Sequence, residues 1–151
     1  MKKAVKVICA IIAILIALQG LILINHRGQL NRESALRAPL GQMVEVGGHN
    51  MCVYTEGTGK STLVFLSGGG TCSPILDFKS LYSLISDQYR IAVVEKFGYG
   101  FSDVVDKSRD IDSILEDTRA ALTAAGLTAP YVLCPHSMSG LEALYWAQKY
   151  P

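Results

Sequence analysis

Ser137 is the residue best placed to act as a nucleophile. Tyr131-Val132-Leu133-Cys134 reads as a short buried strand, and Met138 to Lys149 reads as a helix. Only Pro135, His136 and Ser137 lie between them, which leaves no room for a loop. A sharp strand-to-helix turn lifts the serine hydroxyl and leaves the Met138 N–H unpaired at the helix N-terminus. Acyl transfer needs those two things, an exposed nucleophile and a donor for the developing oxyanion.

Other candidates are weaker. His136 adjoins Ser137, but neighbouring side chains in such a turn point apart, so it is not expected to serve as the base. His49 falls in an early hairpin turn and His26 near the amino-terminal apolar run. Gly57-Thr58-Gly59-Lys60-Ser61-Thr62 has the ending of a phosphate-binding loop. It lacks the required upstream Gly, where Tyr54 stands, and Leu63-Val64-Phe65-Leu66 continues as a strand instead of a helix. Of the four cysteines, Cys9 lies in the apolar run. Cys52, Cys72 and Cys134 lack metal-ligand spacing and read as small buried side chains. A net charge of +1 supplies no basic field, so nucleic-acid binding is not expected. No cofactor or metal is implied.

The elements that position Ser137 begin near Gly41. Met43 to Val46 and Met51 to Tyr54 read as a hairpin about the turn Gly47-Gly48-His49-Asn50. Thr62 to Leu66 is a continuous apolar strand suited to burial on both faces. Helical periodicity covers Leu76 to Ile85, and Arg90 to Glu95 is a further buried strand. Asp110 can cap a helix that places Ile111, Ile114, Leu115, Leu122 and Ala125 mostly on one face, with Gly126 as its stop. Strands alternating with helices after a hairpin imply an α/β fold with a mainly parallel sheet.

The stretch from Cys134 to Gly140 resembles the nucleophile elbow of the α/β-hydrolase family, usually G-x-S-x-G, with Pro135 and Ser139 in the two Gly places. Two upstream motifs accompany it. Phe65-Leu66-Ser67-Gly68-Gly69-Gly70 resembles the family's His-Gly turn after the third strand, with Ser67 in the His place. Val94-Glu95-Lys96-Phe97-Gly98-Tyr99-Gly100-Phe101-Ser102-Asp103 resembles its Asp-x-x-Gly-x-Gly-x-Ser-Asp turn, with Glu95 in the Asp place. Ala143 to Pro151 resembles the helix after the elbow. The resemblance covers about residues 42 to 151.

The resemblance implies that Ser137 is the nucleophile and that the backbone N–H groups of Gly69 and Met138 form the oxyanion hole. The 98–103 turn is expected to be structural. The family's acid and His follow the nucleophile, and Asp103, Asp106, Asp110 and Asp112 all precede it. Both are therefore expected beyond Pro151, as is the segment that caps the site. Two functions follow. One is a serine hydrolase of an ester, amide or peptide bond, similar to proline iminopeptidase and esterase-type members and acting on a small-molecule or peptide substrate. The other is a catalytically inactive truncated remnant, or a binding-only protein of the same fold. The strand ending at Cys134 would expose an open edge, so the 151-residue chain is expected to be marginally stable.

The amino-terminal segment has a separate role. Residues 1–6 are basic, and residues 7–24 are apolar over roughly 27 Å at 1.5 Å per residue, enough to cross a hydrocarbon core. An uncleaved signal-anchor in the lipid bilayer is the favoured reading, against a cleaved signal peptide or a core helix. Lys2, Lys3 and Lys6 favour an inside amino terminus and an extracytoplasmic domain, against Arg27, Arg32 and Arg37 on the other side. Residues 25–40 read as a juxtamembrane linker and residues 41–151 as a truncated hydrolase-like domain.

Overall fold

The computed structural model describes residues 2–151, so of the basic stretch only Met1 lies outside. The described chain forms two compact units, one ending at Ala38 and the other running from Pro39 to Pro151. In the first, a 31-residue helix α1 (Lys2–Arg32) precedes a short 3-10 turn at Ser34–Arg37. At about 46 Å, α1 is long and apolar enough to cross a membrane. It does not stop at Ile24. The polar residues Asn25 to Arg32 include no proline to interrupt the hydrogen-bond ladder, so the first part of the expected linker continues the same helix.

In the second unit, β1 (Gln42–Val46) and β2 (His49–Glu56) form a hairpin. Its turn is only Gly47-Gly48, both with positive φ, so His49 and Asn50 belong to the strand and not to the turn. Then follow β3 (Thr62–Leu66), β4 (Arg90–Glu95), and β5 (Tyr131–Pro135). The sheet order is β1-β2-β4-β3-β5. It is a mixed sheet where a mainly parallel one was expected. β2 pairs antiparallel with both β1 and β4, while β3 pairs parallel with β4 and β5.

The apolar runs of β3 and β4 are buried on both faces, as their lack of alternation requires. Val64, Leu66, Ala92 and Val94 join one core with Leu115, Leu122 and Trp146. Leu63, Phe65, Ile91 and Val93 join another with Ile75 and Tyr82. The second is covered by two single-turn helices, α2 (Pro74–Asp77) and α3 (Lys79–Tyr82), where one helix was expected. They meet at Phe78, whose ring packs 5.7 Å from that of Phe65. The Tyr82 hydroxyl donates to the Ile75 carbonyl at 2.8 Å. Packing and this bond break the helical period.

The first core is covered by α4 (Ile111–Ala124) and α5 (Ser139–Lys149). Asp110 caps α4, its Oδ1 accepting from Ser113 N at 2.8 Å. The buried residues of α4 are Leu115, Asp117, Thr118, Ala121 and Leu122, and Ile111 is exposed. The apolar face is thus narrower than the sequence implied, and the buried Asp117 on it pairs with the more exposed Lys107 at 2.6 Å.

Candidate active site

Parallel strands deliver ligands to their carboxyl ends, most often where adjacent strands send their connections in opposite directions. β3 is such a strand, because β4 lies on one side of it and β5 on the other. Leu66 and Pro135 stand opposite each other at the ends of β3 and β5. Ser67 to Gly70 leave one strand end and His136 to Met138 leave the other.

Ser137 has φ +57, and no other described residue besides glycine has a positive φ. A β-carbon is disfavoured there, so the surrounding structure must impose the conformation. Several bonds impose it. His136 N donates to Leu66 O at 2.9 Å. The buried Ser139 hydroxyl lies 2.7 Å from Leu66 O and 2.8 Å from His136 O, and it accepts from His136 N at 2.8 Å. Ser139 therefore does more than fit a place where glycine is usual, because its hydroxyl pins the turn to β3. Ser137 itself is exposed.

The glycine loop closes against this turn. A Cβ on Gly68 would lie 2.8 Å from His136 O, so only a glycine fits. A Cβ on Gly69 would lie 3.4 Å from Met138 Sδ. Ser137, Gly69 and Met138 are thus brought together. Among the described residues neither Gly69 N–H nor Met138 N–H donates to a backbone carbonyl. Two unspent donors beside an exposed hydroxyl at a helix N-terminus can hold an oxyanion.

The histidines lie elsewhere. The His136 ring packs edge-on against Phe78 at 5.6 Å, and His49 packs edge-on against Phe97 at 6.0 Å. Among the described residues no side chain hydrogen-bonds the Ser137 hydroxyl, and no group of His, Cys, Asp or Glu could hold a metal ion.

The turn after β4 is a brace. Glu95 is fully buried and accepts from Phe101 N at 2.7 Å. Burial pushes its carboxyl above the ordinary value, and the Phe101 bond pulls it back. Gly100 lies directly against that carboxyl. Ser102 accepts from Cys52 N at 2.9 Å, and Asp103 accepts from Asn50 N at 2.7 Å, tying the turn to β2. The four cysteines are free. Cys52 is buried, its thiol pushed up to about 11 by burial and then by Glu95. Cys134 is half-buried, and Cys72, expected to be buried, is exposed because its loop runs over the surface.

Sequence reasoning missed Lys96 and Glu142. Lys96 is buried at the end of β4, and its ammonium lies 2.6 Å from both Glu142 carboxylate oxygens and 2.7 Å from Ser67 O. Burial pushes the ammonium below its ordinary value, and Glu142 pulls it back. The one legible signal was a lone lysine directly after a buried apolar strand. Lys96, Glu142, Arg109, Gly69 and Met138 border a pocket of about 490 Å³. A larger groove of about 1150 Å³ runs along edge strand β5 and α5, lined by Leu133 and the exposed Leu144. It is away from the glycine loop and holds no nucleophile.

No family model matches the chain. It is 49% identical over 150 residues to an uncharacterized protein, YbdG, of Bacillus subtilis (strain 168), covering 99% of this chain and 46% of that protein. It is 29% identical over 96 residues to a second uncharacterized protein of that organism, YqjL, covering 64% of this chain and 37% of that protein. The chain thus spans less than half the length of these curated relatives. Among solved structures it is similar to a meta-cleavage product hydrolase from Pseudomonas fluorescens, with TM-score 0.67 and 18% identity over 74% of this chain and 41% of that one. It is also similar to an epoxide hydrolase from Bacillus megaterium, with TM-score 0.63 and 24% identity over 73% of this chain and 38% of that one. An α/β hydrolase fold protein from Burkholderia ambifaria matches with TM-score 0.62 and 20% identity over 72% of this chain and 39% of that one. The unit from Pro39 to Pro151 therefore has the fold of the N-terminal part of these α/β-hydrolase proteins.

Proposed function

We propose that this chain carries the nucleophile half of a serine hydrolase acting on an ester, amide or peptide bond, anchored to a bilayer by α1 with its domain extracytoplasmic. The observation that carries the reading is the positive φ of Ser137 in a turn between β5 and α5, with Gly68 against it. In this reading Ser137 Oγ attacks the carbonyl carbon and passes its proton to a base. The oxyanion rests on Gly69 N–H and Met138 N–H until the leaving group departs, and water then resolves the acyl-enzyme. Among the described residues no side chain hydrogen-bonds Ser137 Oγ to serve as that base. The substrate is a small molecule or peptide that reaches the turn from the side of the 490 Å³ pocket.

A fluorophosphonate tests the assignment on the full chain in detergent, with imidazole added as a diffusible base. The expected adduct maps to the Ser137 peptide and disappears in Ser137→Ala. Adducts spread over other serines, unchanged in Ser137→Ala, would overturn it.

A further inference from the structure

The two N–H groups proposed to hold the oxyanion come from separate segments, the glycine loop after β3 and the turn before α5. Three consecutive glycines have unusual backbone freedom, and the loop's own structure is limited to a turn at Gly69-Gly70. Among the described residues, Ser67 to Thr71 make no backbone–backbone hydrogen bond. The Ser67 hydroxyl is buried with no partner. Besides an internal contact from Cys72 Sγ to Gly70 O, the loop's one hydrogen bond comes from Lys96 Nζ to Ser67 O. The same ammonium holds both carboxylate oxygens of Glu142, on the first turn of α5.

We propose that Lys96 is a positioning residue, tying the glycine loop to α5 so that the Gly69 and Met138 N–H groups keep a fixed separation. This rests on the reading of Ser137 as nucleophile. An ammonium has three N–H donors and no acceptor. Here they are directed at Ser67 O and at the Glu142 carboxylate, whose two oxygens both lie 2.6 Å from the ammonium. Its side chain is 6% exposed, so the ammonium is held largely out of water. Burying a lysine is costly, and an apolar pair of similar size would often be as stable or more so. The pair's effect here is geometric: one atom joins β4, the glycine loop and the nucleophile's helix.

The test is the double variant Lys96→Met/Glu142→Met in the full chain. Replacing a buried ion pair with apolar side chains is often neutral or stabilising, so its thermal midpoint should match or exceed that of the wild type. The saturating rate of imidazole-supported phosphonylation at Ser137 should still fall about 10- to 100-fold, with affinity for the fluorophosphonate unchanged, as a small misplacement of donors requires. Amide ¹⁵N relaxation should show Gly68 to Gly70 passing from rigid, with order parameters of about 0.85, to below about 0.6. A folded double variant that reacts at the wild-type rate with rigid glycine amides overturns the proposal. If the wild type gives no Ser137 adduct, the nucleophile reading fails, and the relaxation data alone decide the tie in the same two directions. Should the double variant not fold, the singles decide. Glu142→Gln keeps an acceptor for Lys96 and should react faster than Lys96→Met, and equal rates would overturn the tie.

Discussion

A Cβ placed on Gly68 would stand 2.7 Å from the Cβ of Ser137, closer than real side chains approach. The conformation of Ser137 and the absence of a side chain on Gly68 are therefore one requirement. Gly68→Ala must push the turn or the loop aside, and overpacking of this kind costs about 1–3 kcal/mol. A lower denaturation midpoint, together with loss of fluorophosphonate reactivity at Ser137, is the expected outcome. An unchanged midpoint and rate would show that the two segments are not held together.

Gly98 and Gly100 separate two kinds of glycine requirement. Both have positive φ, but a Cβ on Gly98 meets nothing within 4 Å, whereas one on Gly100 would run into the Glu95 carboxyl. Gly98→Ala should cost about 1–2 kcal/mol from backbone strain alone. Gly100→Ala should cost more, about 1–3 kcal/mol beyond that, since the buried Glu95 cannot retreat. Denaturant melts of the two variants give the comparison, and equal losses would contradict it.

Asp110 makes the stability of α4 depend on pH. Bonds from Ser108 Oγ, then from Ser113 N and Oγ, hold its carboxyl down from 3.8 to about 2. A depressed folded value stabilises the fold above the unfolded value and is lost as pH falls through the folded one. The midpoint difference between wild type and Asp110→Ala should be fully present above about pH 4 and shrink toward pH 2, leaving the part that an uncharged capping oxygen supplies. Asp110→Asn, which keeps a capping oxygen without the charge, should show a smaller loss above about pH 4, and that loss should shrink toward pH 2 as the wild-type carboxyl is protonated.

The α1 helix should retain the chain in the membrane fraction through alkaline carbonate extraction, as a spanning segment of its length would. With the amino terminus inside, alkaline phosphatase fused after Pro151 should be active and a green fluorescent protein at the same point dark. Active fluorescent protein there would reverse the orientation.

The features legible in the sequence were the local ones. The two-faced apolar runs of β3 and β4 announce buried strands, Asp110 announces a cap, and a serine pressed between a strand and a helix announces the turn at Ser137. Long-range features were not legible. Lys96 and Glu142 are 46 residues apart, and neither has a pattern that names the other. The break at Phe78 comes from its packing on Phe65 and His136, which overrides a helical period. The mixed sheet follows from β2 pairing with β4, a neighbour that is not next in sequence.

The rate of Ser137 phosphonylation as a function of imidazole concentration tests the central claim most directly. The account expects the rate at Ser137 to rise in proportion to unprotonated imidazole and to exceed that at the exposed Ser108 by orders of magnitude. A rate at Ser137 no greater than at Ser108, or independent of imidazole, would contradict it.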